Sequence, residues 1–121
     1  RLLIFVFADS VQTSQEEPCN QVLLTGTICK APICRRTPLG REICDVMLAV
    51  PRSYRRSDYL PCILWGRTAQ AISQCATGDT ISLTGRLQSR LYRKATGDGV
   101  EVRTAYEISA LTAQCHQDTA T

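Results

Sequence analysis

The stretch whose reading decides the fold is DYLPCILWGRTAQAISQCATGD, Asp58 to Asp79. It opens on an alternating run. Leu60, Cys62 and Leu64 share one face, while Tyr59, Pro61, Ile63 and Trp65 share the other, which is the two-residue period of a strand. The period then changes. From Arg67 to Thr77, Ala69, Ile72 and Cys75/Ala76 recur at three-to-four spacing, and Gly78 is placed to end the helix so predicted.

Outward from this centre the chain reads as strands. Upstream, Asn20 to Cys29 (NQVLLTGTIC) alternates, and Gly26 within it marks a bend or a close backbone approach. The segment TPLG, Thr37 to Gly40, is a type I turn signal and suggests a hairpin. Arg41 to Val50 follows with Cys44, Val46, Leu48 and Val50 on one face, and Pro51 opens the basic loop PRSYRRSD. Downstream, Thr80 to Tyr92 puts Ile81, Leu83, Leu87 and Leu91 on one face and Arg86, Gln88, Arg90 and Tyr92 on the other. KATGDG reads as a turn or loop, and Val100 to Ala110 returns as the last strand.

Five strands with one short helix between the third and fourth predict an all-β chain. The order fits a five-stranded, partly open Greek-key barrel of the oligonucleotide/oligosaccharide-binding kind (the OB-fold). A small β-sandwich has the same strand count, and the position of the helix favours the barrel. The barrel domain is expected over residues 20–113, with residues 114–121 a polar, frayed tail.

Residues 1–19 read as an extra N-terminal strand and an acidic linker. RLLIFVFADSVQ is apolar on both faces and shares Arg1/Arg103, Ala8/Ala110 and Gln12/Gln114 with the closing strand at a constant offset. That similarity suggests the final strand of a preceding barrel; an extra strand of this domain, or one pairing with a neighbour, reads equally well. Its apolar run, Leu2 to Ala8, is far too short to cross a bilayer, and no clear signal-peptide cleavage site follows.

At 121 residues and 44% apolar content the chain is the size of a single globular domain. The net charge of +3 hides an asymmetry, because the cations concentrate between Asn20 and Ala113 while Asp9, Glu16, Glu17 and Asp118 lie in the flanks. Nearly all the cations are arginine, whose planar fork binds phosphate and stacks on rings. A polyanionic partner is expected. The seven cysteines form no C-x-x-C pair, so the reading is reduced, mostly buried thiols in a cytosolic protein, with no metal site. The only histidine sits beside Cys115 in the tail. With no carboxylate pair and no phosphate-cradling loop, no catalytic residue and no cofactor are assigned.

The remaining signal is an interleaving of rings with arginines. Tyr54 sits among Arg52, Arg55 and Arg56; Tyr59 and Trp65 project together from their strand; Tyr92 follows Arg86 and Arg90 on a polar face. The core faces are already filled by aliphatics. A ring stacked on a base gains roughly 1–3 kcal/mol whatever the base, and arginines between the rings neutralise the intervening phosphates. Duplexes hide base faces, so the expected ligand is a single strand.

The motifs NQVLLTGTICKAPICRRTPLG, CDVMLAVPRSY, DYLPCILWGRTAQ, GDTISLTGRLQSRLY and RTAYEIS together resemble the bacterial single-stranded DNA-binding protein (SSB) family over about Asn20 to Leu111. The resemblance implies Tyr54, Tyr59, Trp65 and Tyr92 as base-stacking residues and Arg35, Arg67 and Arg90 as phosphate contacts. Charge and facing add Arg36, Arg52, Arg55, Arg56, Arg86 and Arg93. It also implies the same barrel, a homo-oligomer (dimer or tetramer) and a bacterial, cytoplasmic, nucleoid-associated protein that coats single-stranded DNA in replication, recombination and repair. Family members of the best-known type end in an acidic, Phe-terminated tip that recruits partners, whereas this sequence ends QCHQDTAT, so no recruiting tip is expected. The alternatives are a primosome or recombination accessory barrel acting mainly through protein contacts, and an RNA-binding barrel. Membrane association is not expected.

Overall fold

The computed structural model describes residues 4–116. Six strands and one helix follow in the order β1 (Val22–Ile28), β2 (Ile33–Arg36), β3 (Glu42–Arg52), β4 (Arg56–Trp65), α1 (Gly66–Ser73), β5 (Thr80–Thr96) and β6 (Gly99–His116). Strand neighbours run β1-β5-β6-β4-β3-β2, and β1 returns to β3 through Thr27 and Ile28. β1, β3, β4, β5 and β6 thus close the expected five-stranded barrel, with β2 added at the edge of β3. α1 lies between the third and fourth barrel strands. Among the described residues no helix is long and apolar enough to cross a membrane.

The core is the inward face of the alternating runs. Ile28, Cys44, Val46, Leu48, Cys62, Leu64, Ile81, Leu83 and Ile108 meet inside the barrel, and Ala69 and Ile72 of α1 pack on them. Complete burial of a side chain such as Leu48, Leu64 or Ile81 stabilises the fold by about 1.5–3 kcal/mol. The close approach expected at Gly26 is real. A Cβ there would lie 2.9 Å from the Ala49 carbonyl oxygen and 3.0 Å from Val50.

α1 ends earlier than the predicted Thr77. Cys75 N donates to Ile72 O, and Ala76 N then donates to the Asp79 carboxylate at 2.9 Å, so a side chain replaces the next helical acceptor. Gly78 turns the chain with φ of 99° and donates its N–H to Ile28 O, pinning the loop to β1.

β5 and β6 run past their expected ends. Lys94 to Thr96, read as loop, pair with Gly99 to Glu101, leaving Gly97 and Asp98 as a two-residue turn. Gln114 to His116, read as frayed tail, pair with Thr80 to Ser82, so the domain boundary at 113 moves to at least 116. The cause is a bulge. Thr84 faces Thr112 and Gly85 faces Ala110, leaving Leu111 as the extra residue, 70% exposed. The bulge shifts the inward face of β6 from Ile108 and Ala110 to Ala113 and Cys115. Gly85 stands opposite it, where a Cβ would come within 2.2 Å of Ser109 O.

Beyond the barrel the two strands continue as a two-stranded arm. β1 leaves β5 after Val22↔Gly85, and β4 meets β6 only at Ile108 and Ser109. Asn20 guards the junction by donating from Nδ2 to Leu87 O at 2.7 Å and accepting from Leu87 N at 3.1 Å.

Two sequence expectations meet a different picture here. In the described part of the predicted N-terminal strand, Ile4 to Gln21 carry no regular secondary structure, and Phe5, Val6, Phe7 and Val11 are exposed. Arg1 to Leu3 lie outside the described residues. The expectation of uniformly reduced thiols is also corrected, because Cys34–Cys44 and Cys75–Cys115 are disulfides. Cys34 lies directly opposite Cys44 in the β2–β3 ladder. Cys19, Cys29 and Cys62 remain free thiols. Burial, and secondarily the Glu107 carboxylate, push the Cys62 thiol up to about 12.

Candidate nucleic-acid interface

Residues directly opposite in a ladder share a face, so the register identifies which side chains stand together. Arg35 pairs with Ile43 and Ile43 with Trp65; Asp45 pairs with Ile63, Met47 with Pro61 and Ala49 with Tyr59. Ile63 pairs across the parallel join with Ser109, and Ser109 with Arg86. The same rows continue along the arm through Gln88–Glu107, Arg90–Ala105 and Tyr92–Arg103. Tyr59, Trp65, Tyr92, Arg35, Arg86 and Arg90 therefore occupy one continuous outer face spanning β2-β3-β4-β6-β5, opposite the core. Ile43 and Ile63 give it a buried apolar floor.

The rings differ in presentation. Tyr59 is 58% exposed, and Tyr92 less so. Trp65 ends β4 and is partly buried, with the Arg41 guanidinium 4.7 Å above its ring. Such a cation–π contact also leaves a positive charge beside the indole. Tyr54 stands apart from this face at the tip of the β3–β4 hairpin, 93% exposed. It and Arg55 both take left-handed backbone, φ 66° and 59°. Non-glycine residues there cost of order 1–3 kcal/mol each, and such outliers collect at binding sites. A shallow recess beside it is lined by Arg52, Ser53 and Arg56.

The cations are held by an acidic second layer. Arg35 Nη1 pairs with Asp45 Oδ2. Arg90 Nε donates to Glu107 Oε1 at 3.0 Å, and Gln88 Nε2 donates to the same oxygen at 3.0 Å. Glu107 is 5% exposed, the one buried charged residue among those described. The Arg90 guanidinium lies 6.0 Å from the centre of the Tyr92 ring. Ring, cation and carboxylate thus form one unit at the base of the arm.

Not every nominated arginine joins this face. The register puts Arg36, Arg52, Arg56 and Arg93 on the opposite side of their strands. Arg36 pairs with Glu42 at 3.1 Å and Arg52 with Asp58 at 3.4 Å. Arg55 projects from the turn and Arg67 from the exposed side of α1.

Sequence reading passed over Arg41, Arg103, Glu107 and Tyr106. Arg41 becomes visible only through the Ile43↔Trp65 register. Arg103 faces Tyr92 and pairs with Glu101 at 3.0 Å. Tyr106, 39% exposed, lies on the other side of the arm with Leu91, Val100 and Val102. Its signal was present in the alternation of VEVRTAYEIS, which separates Tyr106 from Arg103 and Glu107.

The chain is similar in sequence to known proteins. The sequence model of the single-strand binding protein family matches residues 19–116. Single-stranded DNA-binding protein B of Bacillus subtilis (strain 168) is 37% identical over 90 residues, covering 69% of this chain and 80% of that protein. Single-stranded DNA-binding protein 1 of Lactococcus lactis is 32% identical over the same share of this chain and 60% of its own length. Single-stranded DNA-binding protein A of Bacillus subtilis is 33% identical, with 52% of its length covered. The chain thus spans little more than half the length of the latter two.

Proposed function

The chain belongs to the single-strand binding protein family, and from that premise we propose that it binds single-stranded DNA without reading its sequence, through the outer face of β2-β3-β4-β6-β5. The observation that carries the reading is the register, which aligns Tyr59, Trp65 and Tyr92 with Arg35, Arg86 and Arg90 on the face opposite the core. Rings supply stacking that every base accepts, and arginines between them supply phosphate neutralisation. Arg41 belongs to this set as the cation over Trp65. Tyr54 and Arg55 extend it at the hairpin tip, Arg67 flanks it from α1, and Arg52 and Arg56 reach DNA only from the opposite side of that hairpin. Arg36 and Arg93 meet DNA only if a strand wraps around the edge of the face. Coating and protection of unwound DNA in replication, recombination and repair follow as the cellular role.

The same reading includes self-association. Among the described residues β1 pairs with β3 only at Thr27 and Ile28, and Gly26 packs on Ala49, so its edge from Val22 to Thr25 is open to a second copy. Leu23 beside it is 78% exposed and lines a groove with Thr25, Ser82, Thr84 and Thr112. A homo-oligomer joined there leaves the ring-bearing face free.

Trp65 is its own reporter. Oligo-dT is expected to quench its fluorescence, and a duplex of equal length is expected to leave it unchanged. The oligo-dT effect should weaken as salt rises. Equal quenching by duplex, or none by oligo-dT, would remove Trp65 from the interface.

A further inference from the structure

Three segments converge where the barrel closes at the end of β6. Cys75 follows α1, Asp79 precedes β5 and Cys115 is the penultimate residue of β6, and their ligating atoms lie within 4.8 Å of one another. The loop that carries Asp79 is fixed before any ligand arrives. Ile28 N donates to Asp79 O at 2.9 Å, Gly78 N donates to Ile28 O at 2.9 Å, and Ala76 N donates to Asp79 Oδ2. Cys75 is 7% exposed, whereas Asp79 and Cys115 are partly open to solvent, which gives an entry path.

The distances suit a tetrahedral cation. Ligands held about 2.3 Å (sulfur) and 2.1 Å (oxygen) from one zinc lie roughly 3.6 Å apart. Cys115 Sγ is 3.9 Å from Asp79 Oδ2. The two sulfurs are joined as a disulfide, with Cα atoms 6.7 Å apart, toward the wide end of the usual range of about 4.4–6.8 Å. A cation fits between them once that bond is cut. His116 is not a ligand, because its Nε2 sits 3.3 Å from Ser82 Oγ on the outer face.

We propose that Cys75, Asp79 and Cys115 form a site for a soft divalent cation of the zinc type, opened by reduction of the Cys75–Cys115 disulfide. A dithiol reductant supplies two electrons and two protons and is itself oxidised to a disulfide, leaving two thiols. The cation binds both as thiolates and displaces two protons; the Asp79 carboxylate is the third donor and water the fourth. An oxidant of the glutathione-disulfide class reverses the cycle, taking two electrons from the sulfurs, re-forming the S–S bond and ejecting the cation. Either state ties the end of β6 to the loop after α1. The barrel is thereby clamped in oxidising and reducing surroundings alike.

The test uses the full chain reduced with a phosphine and titrated anaerobically with cobalt(II). It is run in the natural sequence and in a Cys34→Ala/Cys44→Ala background that removes the other pair. One cobalt per chain is expected, with thiolate-to-cobalt charge transfer and the intense visible bands of tetrahedral cobalt, displaced by zinc. About two protons should be released. Asp79→Asn keeps an oxygen for the Ala76 N–H and should weaken cobalt roughly tenfold or more; Cys115→Ser should abolish the charge-transfer band. The oxidised chain should take up none. Absence of cobalt uptake by the reduced chain, whether circular dichroism reports it folded or not, overturns the proposal. So does a spectrum unchanged by Cys115→Ser and Asp79→Asn in both backgrounds, which would put the metal on the remaining thiols.

Discussion

Arg90→Ala perturbs stability and binding at once, and the structure allows the two to be separated. Arg90 Nε and Gln88 Nε2 both donate to Glu107 Oε1 at 3.0 Å, and Glu107 is 5% exposed. Removing the guanidinium leaves a buried carboxylate with one neutral donor. Losing a charged hydrogen-bond partner in that setting costs about 1–3 kcal/mol of folding stability. It also removes one phosphate contact, so the slope of log affinity against log salt should fall by about 0.7. In Arg90→Ala/Glu107→Gln the amide oxygen still accepts from Gln88 and no charge remains buried. Most of the lost stability should return, while the shallower slope persists. Urea unfolding of the wild type, both single variants and the double variant gives the coupling energy, and oligo-dT titrations across a salt series give the slopes. The reasoning fails if Arg90→Ala unfolds within about 0.5 kcal/mol of wild type, or if the double variant is no more stable than the single one. An unchanged slope would remove Arg90 from the phosphate contacts.

Trp65→Ala should weaken single-strand binding by roughly 1–3 kcal/mol with little change in salt slope, whereas Arg41→Ala should lower the slope; equilibrium titration distinguishes them. Gly85→Ala places a methyl 2.2 Å from Ser109 O; a loss of at least about 2 kcal/mol in urea unfolding is expected, from overpacking against backbone. Cys62 is raised from 9.0 to about 12. Its contribution is complete below pH 9 and is lost as pH climbs from there toward 12, because the unfolded thiol ionises first. The slope is at most about 1.4 kcal/mol per pH unit, and Cys62→Ala should flatten the alkaline limb of stability against pH.

The barrel was legible because apolar residues recur at every second position from Leu60 to Leu64 and at Ile81, Leu83 and Leu87; Leu91, read with them, stands exposed on the arm. Tyr59, Trp65 and Tyr92 could be placed on the outer face by parity alone. What parity cannot cross is a bulge. Leu111 shifts the inward face of β6, so Ala113 falls beyond the predicted last strand and Cys115 reads as tail, although both are partly buried against the core. The disulfides were hidden for a related reason. Cys34 and Cys44 become partners only when the ladder register is fixed, and Cys75 and Cys115, 40 residues apart, only when the barrel closes. Sorting the arginines failed at the same level. A basic count cannot tell Arg35, on the outer face, from Arg36 beside it on the other. The apolar N-terminal run finds no pairing partner among the described residues, and hydrophobicity alone does not make a strand.

The arm of β5 and β6 divides the proposed interface mechanically. From Ser89↔Tyr106 to Thr96↔Gly99 it projects about 24 Å with only two strands, a thickness at which a hairpin is marginal by itself in water. Such an arm is expected to bend as a cantilever, clamped at its root by Asn20 and the Arg90–Glu107–Gln88 unit and compliant toward its tip. Trp65 is anchored on the closed barrel, and Tyr92 rides on the spring. The gap between those rings is therefore adjustable. In the proposed interface a single strand would lie between one fixed ring and one yielding ring, which would give indifference to sequence a mechanical origin as well as a chemical one.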